Sequence, residues 1–406
     1  MPNHKLFIVR RPNAAELRAD YSARFPKWIQ WLITIGTGKA AVGEHPPRLL
    51  AGRRTKSALV VAQFTVTTAL TLWLLNSHPL SGFLLLPITW LVQVNALRNM
   101  QVVIAHHAVH NELLKTKRRN YWLQVLVSTL SLTQHFEQYF DDHVKGHHSR
   151  KIFTTERDPD SVFLVKLGIK PGLPVCTLRD RVRSAPLSPR FHIAFLTARI
   201  RTNFITAPWH RKIVAALYVV VVAMPAFVLP WWVYLLGVVT PLVPLYHVAA
   251  FLQLLSEHAW TIQARPVASN AEYAQRCWGR FFLEPLPSTA ARGTARFLSW
   301  MRWAARVVLV QVPSRFGVVI GDMPGHDLHH LYPAHHTWTR TLWDRQSRID
   351  EDNDPRGMSR REFTSLAEVL DHVLHIIAST AETPTPGGNL RLLPPATSDD
   401  QQSEAA

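Results

Sequence analysis

IVAALYVVVVAMPAFVLPWWVYLLGVVTPLVPLYHVAAFLQLLS, residues 213–256, runs for 44 positions without an Asp, Glu, Lys or Arg. One helix of that length would extend roughly 66 Å, about twice the hydrocarbon core of a bilayer. The stretch therefore folds back on itself. Pro230-Trp231-Trp232, near its middle, suits a turn with indole rings at headgroup level. A second uncharged pair lies upstream: Ala58 to Leu75 is one crossing, Asn76-Ser77-His78-Pro79 a short turn, and Leu80 to Leu97 the return, with Arg98 placed to snorkel. Buried helices of soluble proteins rarely stay uncharged over such lengths. The expected fold class is all-α integral membrane, with four transmembrane helices at about 58–75, 80–104, 213–229 and 232–255.

Charge sets the orientation. The chain has 45 Lys+Arg against 28 Asp+Glu, a formal +17. Neither short turn, 76–79 or 229–232, carries any of the cations, whereas 14 of them lie between Lys145 and Lys212. The positive-inside rule then places both termini and all large loops in the cytoplasm, so the spans carry a cytosolic helical cap. The positive charge reads as a face apposed to the membrane, and no nucleic-acid motif accompanies it. With only Cys176 and Cys277, neither a disulfide scaffold nor a Cys-rich zinc module can be built. Four regions follow: a basic cytosolic N-terminal region, 1–56; the membrane domain, 57–340; a cytosolic C-terminal helical segment, 341–379; and a Pro-, Gly- and acid-rich tail, 380–406, expected to be disordered. Tyr121 to Thr133 is too short to span and suits the interface. Val307 to Ile320, interrupted by Pro313 and Arg315, reads as a cytosolic or interfacial helix.

The chain has 21 histidines, and four clusters of them stand out: His106-His107-Ala108-Val109-His110, His143-Val144-Lys145-Gly146-His147-His148, Glu257-His258, and His326-Asp327-Leu328-His329-His330. On a helix, residues four apart share a face, so His106 and His110 can address one metal. His326 and His330 repeat that spacing, with His329 as the i+3 neighbour. His143 and His147 repeat it again, with His148 turned about 100° away. These donors exceed what one tetrahedral zinc needs, and imidazole suits Fe, Zn and Cu alike. All four clusters fall at the cytosolic span ends or in cytosolic loops, so they can converge at one depth. The carboxylates beside them, Glu112, Asp141, Asp142, Glu257 and Asp327, suit partners for the far ring nitrogens. His247 lies three turns before His258 on nearly the same face and is expected to line a substrate channel. His335, His336, His372 and His375 read as surface residues, and His135 fits either role.

The pattern H-x-x-x-H, H-x-x-x-H-H, H-x-x-H-H between paired hydrophobic hairpins resembles the membrane fatty acid desaturase and hydroxylase superfamily, over roughly residues 55–340. The resemblance implies a non-haem di-iron centre above a four-helix stalk. By motif match its ligands would be His106, His110, His143, His147, His148, His326, His329 and His330, with His258 in the place of the isolated ligand after the fourth span. His107 stands where the first box usually has an acid, and is expected to support the ligands rather than bind metal, as are Asp142, Glu257 and Asp327. The second box and Glu257-His258 are similar to alkane hydroxylases, whereas His326 to Pro333 looks like the last box of acyl desaturases.

The resemblance implies that two Fe ions activate O2 and remove hydrogen from an unactivated C–H bond of a fatty acyl or related lipid chain. Desaturation is the leading expectation, and hydroxylation of an alkyl or acyl chain is the alternative. Neither tail contains a haem or flavin module, so a separate ferredoxin-, rubredoxin- or cytochrome-like electron donor is implied, drawn to the basic face. A His-rich metal transporter is the remaining class, but the spans lack the Asp/Glu relay that a cation path needs.

Overall fold

The computed structural model describes residues 12–48, 52–333 and 337–380. His335 and His336 lie outside the described residues, as do residues 381–406 of the expected tail. Four helices are long and apolar enough to cross a membrane: Arg53–Ser77, Pro79–Val109, Trp209–Val228 and Trp231–Leu255. A bent pair, Gly293–Val318 and Met323–Leu331, meets the same test only if its two arms are taken as one span. The chain is thus mostly helical with four candidate spans, as the uncharged stretches require.

Close pairing of the spans follows from side-chain size. Gly82 lies so close to the preceding helix that a Cβ would stand 2.9 Å from the backbone nitrogen of Leu75. A Cβ on Gly237 would meet Leu72 at 2.6 Å. Polar groups join the helices where lipid offers no partners: Trp90 Nε1 donates to the carbonyl of Leu236 at 2.8 Å, and Gln93 Nε2 to that of Gly237 at 3.1 Å. Outward positions such as Val66, Leu84 and Val220 stay exposed and apolar, as a lipid-facing surface should be. In the last span Pro241 and Pro244 cannot donate backbone hydrogen bonds, and the helix winds as π-helix over Leu235–Val239 and Pro241–Leu245.

Outside the spans, loop segments pack with the helices nearest both ends of the described chain. Ala14, Leu17 and Tyr21 pack on Phe281 and Leu283. The helix Leu366–Ser379 adds Val369, Val373 and Ile377 to a core shared with Phe251 and Leu255 of the fourth span. A chain of buried ion pairs ties these segments together: Lys39 to Glu362 at 2.6 Å, Glu362 to Arg345 at 2.6 Å, and Arg345 to Asp327 at 2.8 Å.

The all-helical expectation needs one correction. Gly279–Arg280 and Glu362–Phe363 form a short parallel strand pair, with Gly279 opposite Glu362. After the fourth span the chain runs extended and buried, so its backbone groups need partners from elsewhere. Isolated bridges Thr155–Gln263 and His258–Cys277 supply more of them, and the second fixes the backbone of His258.

Candidate metal centre

The second candidate span is longer than one crossing needs. Its 31 residues extend about 46 Å against a hydrocarbon core of about 30 Å, which leaves its last turns for the histidine cluster. Met100–Ala105 is wound as π-helix, and His106–Val109 returns to α geometry, which points His106 and His110 the same way. The second cluster departs from the α-helical expectation. Phe140–His147 is a π-helix, and the amide of His148 bonds to the carbonyl of His143, five residues back, at 3.0 Å. The wider turn makes His143 and His148 the converging pair, their Nε2 atoms 3.1 Å apart. His147 is released in another direction. The last cluster, on His326–Leu331, also divides: Nε2 of His326 and His330 meet at 3.1 Å, while His329 turns away from them.

The nine predicted ligands therefore gather as two adjoining sets. In the first, donor atoms of His106, His110, His143 and His329 all lie within 4.8 Å of one another. His329 Nε2 is 3.1 Å from that of His106 and 3.3 Å from that of His148. In the second, His147, His258 and His330 group within the same limit, as do Glu257, His258 and His326. The sets touch where His148 stacks on His330, with centroids 4.4 Å apart.

These nitrogens fit metal ions better than one another. An imidazole Nε2 carries either one proton or one lone pair, so the run His106–His329–His148–His143 cannot be hydrogen-bonded throughout. His147 Nδ1 lies 3.0 Å from the Asp158 carboxylate, and His258 Nδ1 faces the carbonyl of Arg276 at 3.3 Å. Each therefore directs an Nδ1 proton to its oxygen partner and turns Nε2 toward the other ring, the two Nε2 atoms 3.2 Å apart. A proton on His147 Nε2 or a metal ion between the rings satisfies that contact. Separations of 3.1–3.3 Å suit neighbouring donors placed about 2.1 Å from a shared centre at roughly 100°. His110 Nε2 is buried with no hydrogen-bond partner. Burial and neighbouring rings hold His143, His148, His258, His326, His329 and His330 well below the usual imidazole pKa, so they are neutral donors. Burial also opposes charge on His147, yet Asp158 and Asp160 push it up to about 9. The second set is thus prepared for positive charge.

The supporting residues differ in part from those read in the sequence. Both nitrogens of His107 are taken by carboxylates, Asp322 at 2.9 Å and Glu112 at 3.2 Å, and its ring stacks on Trp338. It has no nitrogen left for a metal. Glu257 stands closer than a supporting residue would: Oε1 is 3.1 Å from His326 Nε2, which places it among the candidate ligands. Asp142 instead accepts from Gln134 and Gln138, at 2.8 and 3.3 Å, because the π-helix carries it to the other side. Asp327 is taken by the Arg345 guanidinium rather than by a ring. Neither supports a ring directly.

His247 is also corrected. It is buried against Phe195 and bonded to His192 at 3.3 Å and Arg199 at 3.2 Å, a packed polar cluster rather than a channel wall. His135 caps the helix Phe136–Tyr139 and pairs with Glu137. His372 and His375 are exposed. Sequence reading missed Asp158, Asp322 and Tyr273, whose hydroxyl is 2.8 Å from His330 Nδ1. Asp158-Pro159 is a recognisable helix start, but nothing in its spacing tells of His147.

Comparison of the chain with curated proteins and with solved structures gives no match. A family model described as fatty acid desaturase matches residues 81–348, about two thirds of the chain, which takes in both histidine sets and three of the four spans. The protein is therefore a member of the fatty acid desaturase family, a family of lipid-oxidising oxidoreductases.

Proposed function

We propose that the protein uses O2 to oxidise an unactivated C–H bond in a fatty acyl or related lipid chain at a histidine-ligated di-iron centre, with a double bond as the product. The observation behind this reading is the division of nine histidines into two adjoining sets of inward-facing nitrogens. His106, His110, His143, His148 and His329 would hold one iron. His147, His258, His326 and His330, with Glu257, would hold the other. When bound, the irons supply the O2 chemistry that no side chain can provide.

The chain's own contribution is position and dryness. Asp158 keeps the proton of His147 on Nδ1, the Arg276 carbonyl does the same for His258, and Tyr273 fixes the ring of His330. Asp322 and Glu112 clamp His107, which packs edge-on against His106. Seven of the nine ligand rings are fully buried, which keeps bulk water from the oxidising centre. The acyl chain approaches from the bilayer between the spans, with its head group at the basic surface. The cap and both termini face the cytoplasm, in keeping with the cation-free turns on the other side. Electrons come from a separate carrier.

Hydroxylation is the second reading. It is favoured by Glu257, which joins the second set at 3.1 Å from His326 and matches the hydroxylase-like Glu257-His258 element. Gas chromatography–mass spectrometry of lipids from cells expressing the chain separates the two. The expected result is an unsaturated acyl product that is absent with His258→Ala. A hydroxylated product selects the second reading, and an unchanged lipid profile from iron-loaded protein overturns both.

A further inference from the structure

Behind the second histidine set stands an oxidisable side chain. Tyr273 lies on the short helix Asn270–Gln275, with its hydroxyl 2.8 Å from His330 Nδ1. His330 Nε2 faces His326 at 3.1 Å and groups with His147 and His258. With a metal on Nε2, the ring proton of His330 sits on Nδ1. The Tyr273 oxygen then accepts it, and the phenol O–H is not needed to hold the ring. Tyr273 packs on Phe153 with centroids 4.4 Å apart, in a cluster that also holds Cys277 and Met358. It keeps 8% of its surface, and Asn270, one turn away, lines an open hollow of about 490 Å³. The phenol thus reaches from a ligand ring to the edge of the protein. Two tryptophans near the ligands are worse placed. Trp338 stacks on His107, which holds no metal, and the Lys56 ammonium 4.5 Å from its centroid opposes positive charge on the indole. Trp260 packs on His258 at 5.5 Å but is fully buried, its Nε1 donating to the carbonyl of Leu254 at 3.0 Å. An indole that loses an electron there becomes a buried cation. A phenol that loses an electron with its proton stays neutral.

We propose that Tyr273 is a one-electron outlet of the second set: when O2 is activated with no acyl chain seated, Tyr273 is oxidised in place of the ligand rings. The proposal rests on the di-iron reading. Reduction of one O2 to two waters takes four electrons and four protons. In a productive turnover the carrier gives two electrons, and the two C–H bonds of the acyl chain give two electrons and two protons. Without a seated acyl chain that contribution is missing. Tyr273 then gives one electron across its hydrogen bond to His330. Its O–H bond breaks, and the proton passes to solvent at the exposed edge of the ring. The carrier gives the remaining electron, and solvent gives the protons. The product is a neutral tyrosyl radical. Its oxygen still accepts from His330 Nδ1, so the ligand ring keeps its orientation while the electron is drawn. Cys277 and Met358, both fully buried in the same cluster, are the next oxidisable groups beyond it.

The test uses the full-length, iron-loaded protein in phosphatidylcholine nanodiscs, wild type and Tyr273→Phe. Each is reduced with dithionite, freed of excess reductant and mixed with O2 in the absence of any acyl substrate. Electron paramagnetic resonance of frozen samples reads the radical. Peptide mapping by mass spectrometry after repeated cycles reads which side chains are oxidised. The expected result is a tyrosyl signal that narrows when ring-deuterated tyrosine is supplied, and that is lost in Tyr273→Phe at equal iron content. Oxidation should map to Tyr273, Cys277 and Met358 in the wild type, and should move to His330, His258 and Trp260 in the variant. A signal that survives in Tyr273→Phe would overturn the proposal. So would a wild type that consumes O2 yet forms no tyrosyl radical. If Tyr273→Phe releases its iron, the wild-type map decides alone: damage at the ligand rings with Tyr273 untouched overturns the proposal, and damage that starts at Tyr273 supports it. A wild type that binds two irons and consumes no O2 overturns the di-iron reading, and the proposal with it.

Discussion

The two histidine sets are built from the same residue type yet differ in what stands behind them. The first is backed by rings: its members contact one another, and the carboxylates of Asp322 and Glu112 bond to the neighbouring His107. The second has Glu257 among its donors and the buried Asp158 behind His147, with Asp160 beyond at 3.5 Å. The first reaches solvent at two edges, while the histidines of the second are wholly buried. A site with carboxylates around it stabilises the more highly charged metal state, and a site at the surface exchanges electrons more readily. The contrast divides the two sets, and the second is expected to hold a metal ion more firmly than the first.

Replacing one ligand from each set tests that division most severely. His106→Ala should empty the first site and His258→Ala the second, each lowering iron toward one per chain and abolishing lipid oxidation, as read by metal analysis and product analysis. Loss of both ions in both variants would mean a single cooperative site.

The next effect is structural. Arg345 is buried between Asp327 and Glu362, so Arg345→Met leaves Asp327 without its ion pair beneath the last histidine cluster and Glu362 with Lys39 alone. A cost of roughly 3–5 kcal/mol is expected, seen as a lower thermal midpoint in detergent. Asp158→Asn keeps the shape of the second set but removes its charge, and should weaken iron binding there by about 10–100-fold. Asp322→Asn acts on His107, which holds no metal, and should change iron affinity much less. Equal effects of the two substitutions would erase the contrast between the sets. In the spans, Gly82→Ala pushes a methyl group into the Leu75 backbone, and should cost about 1–3 kcal/mol while leaving iron content unchanged.

Much of this was legible in the sequence. The absence of charge over residues 213–256 dictates a folded pair of spans, because burying so long an apolar run leaves few other solutions. The four clusters are visible because metal ligation needs particular side chains at helical spacing. Which histidine serves which set was not legible. That depends on π-helical winding at Phe140–His147, which the α-helical count for His148 did not anticipate. Asp327 and Asp142 illustrate a related limit. Adjacency in sequence places an acid near a ligand, but Arg345, 18 residues further on, and Gln134, eight residues earlier, claim them in the fold. Asp158 and Asp322 reach the rings from loops whose paths are set by tertiary packing. His247 resembled a channel residue because its partners, Arg199 and His192, lie in a different part of the chain.

The most direct test of the central claim is iron content with Mössbauer spectroscopy on the detergent-purified full-length protein. The account predicts two irons per chain in two distinguishable environments, with one signal lost in His258→Ala and the other in His106→Ala. A single iron per chain, or bound metal that persists unchanged in both variants, would contradict it.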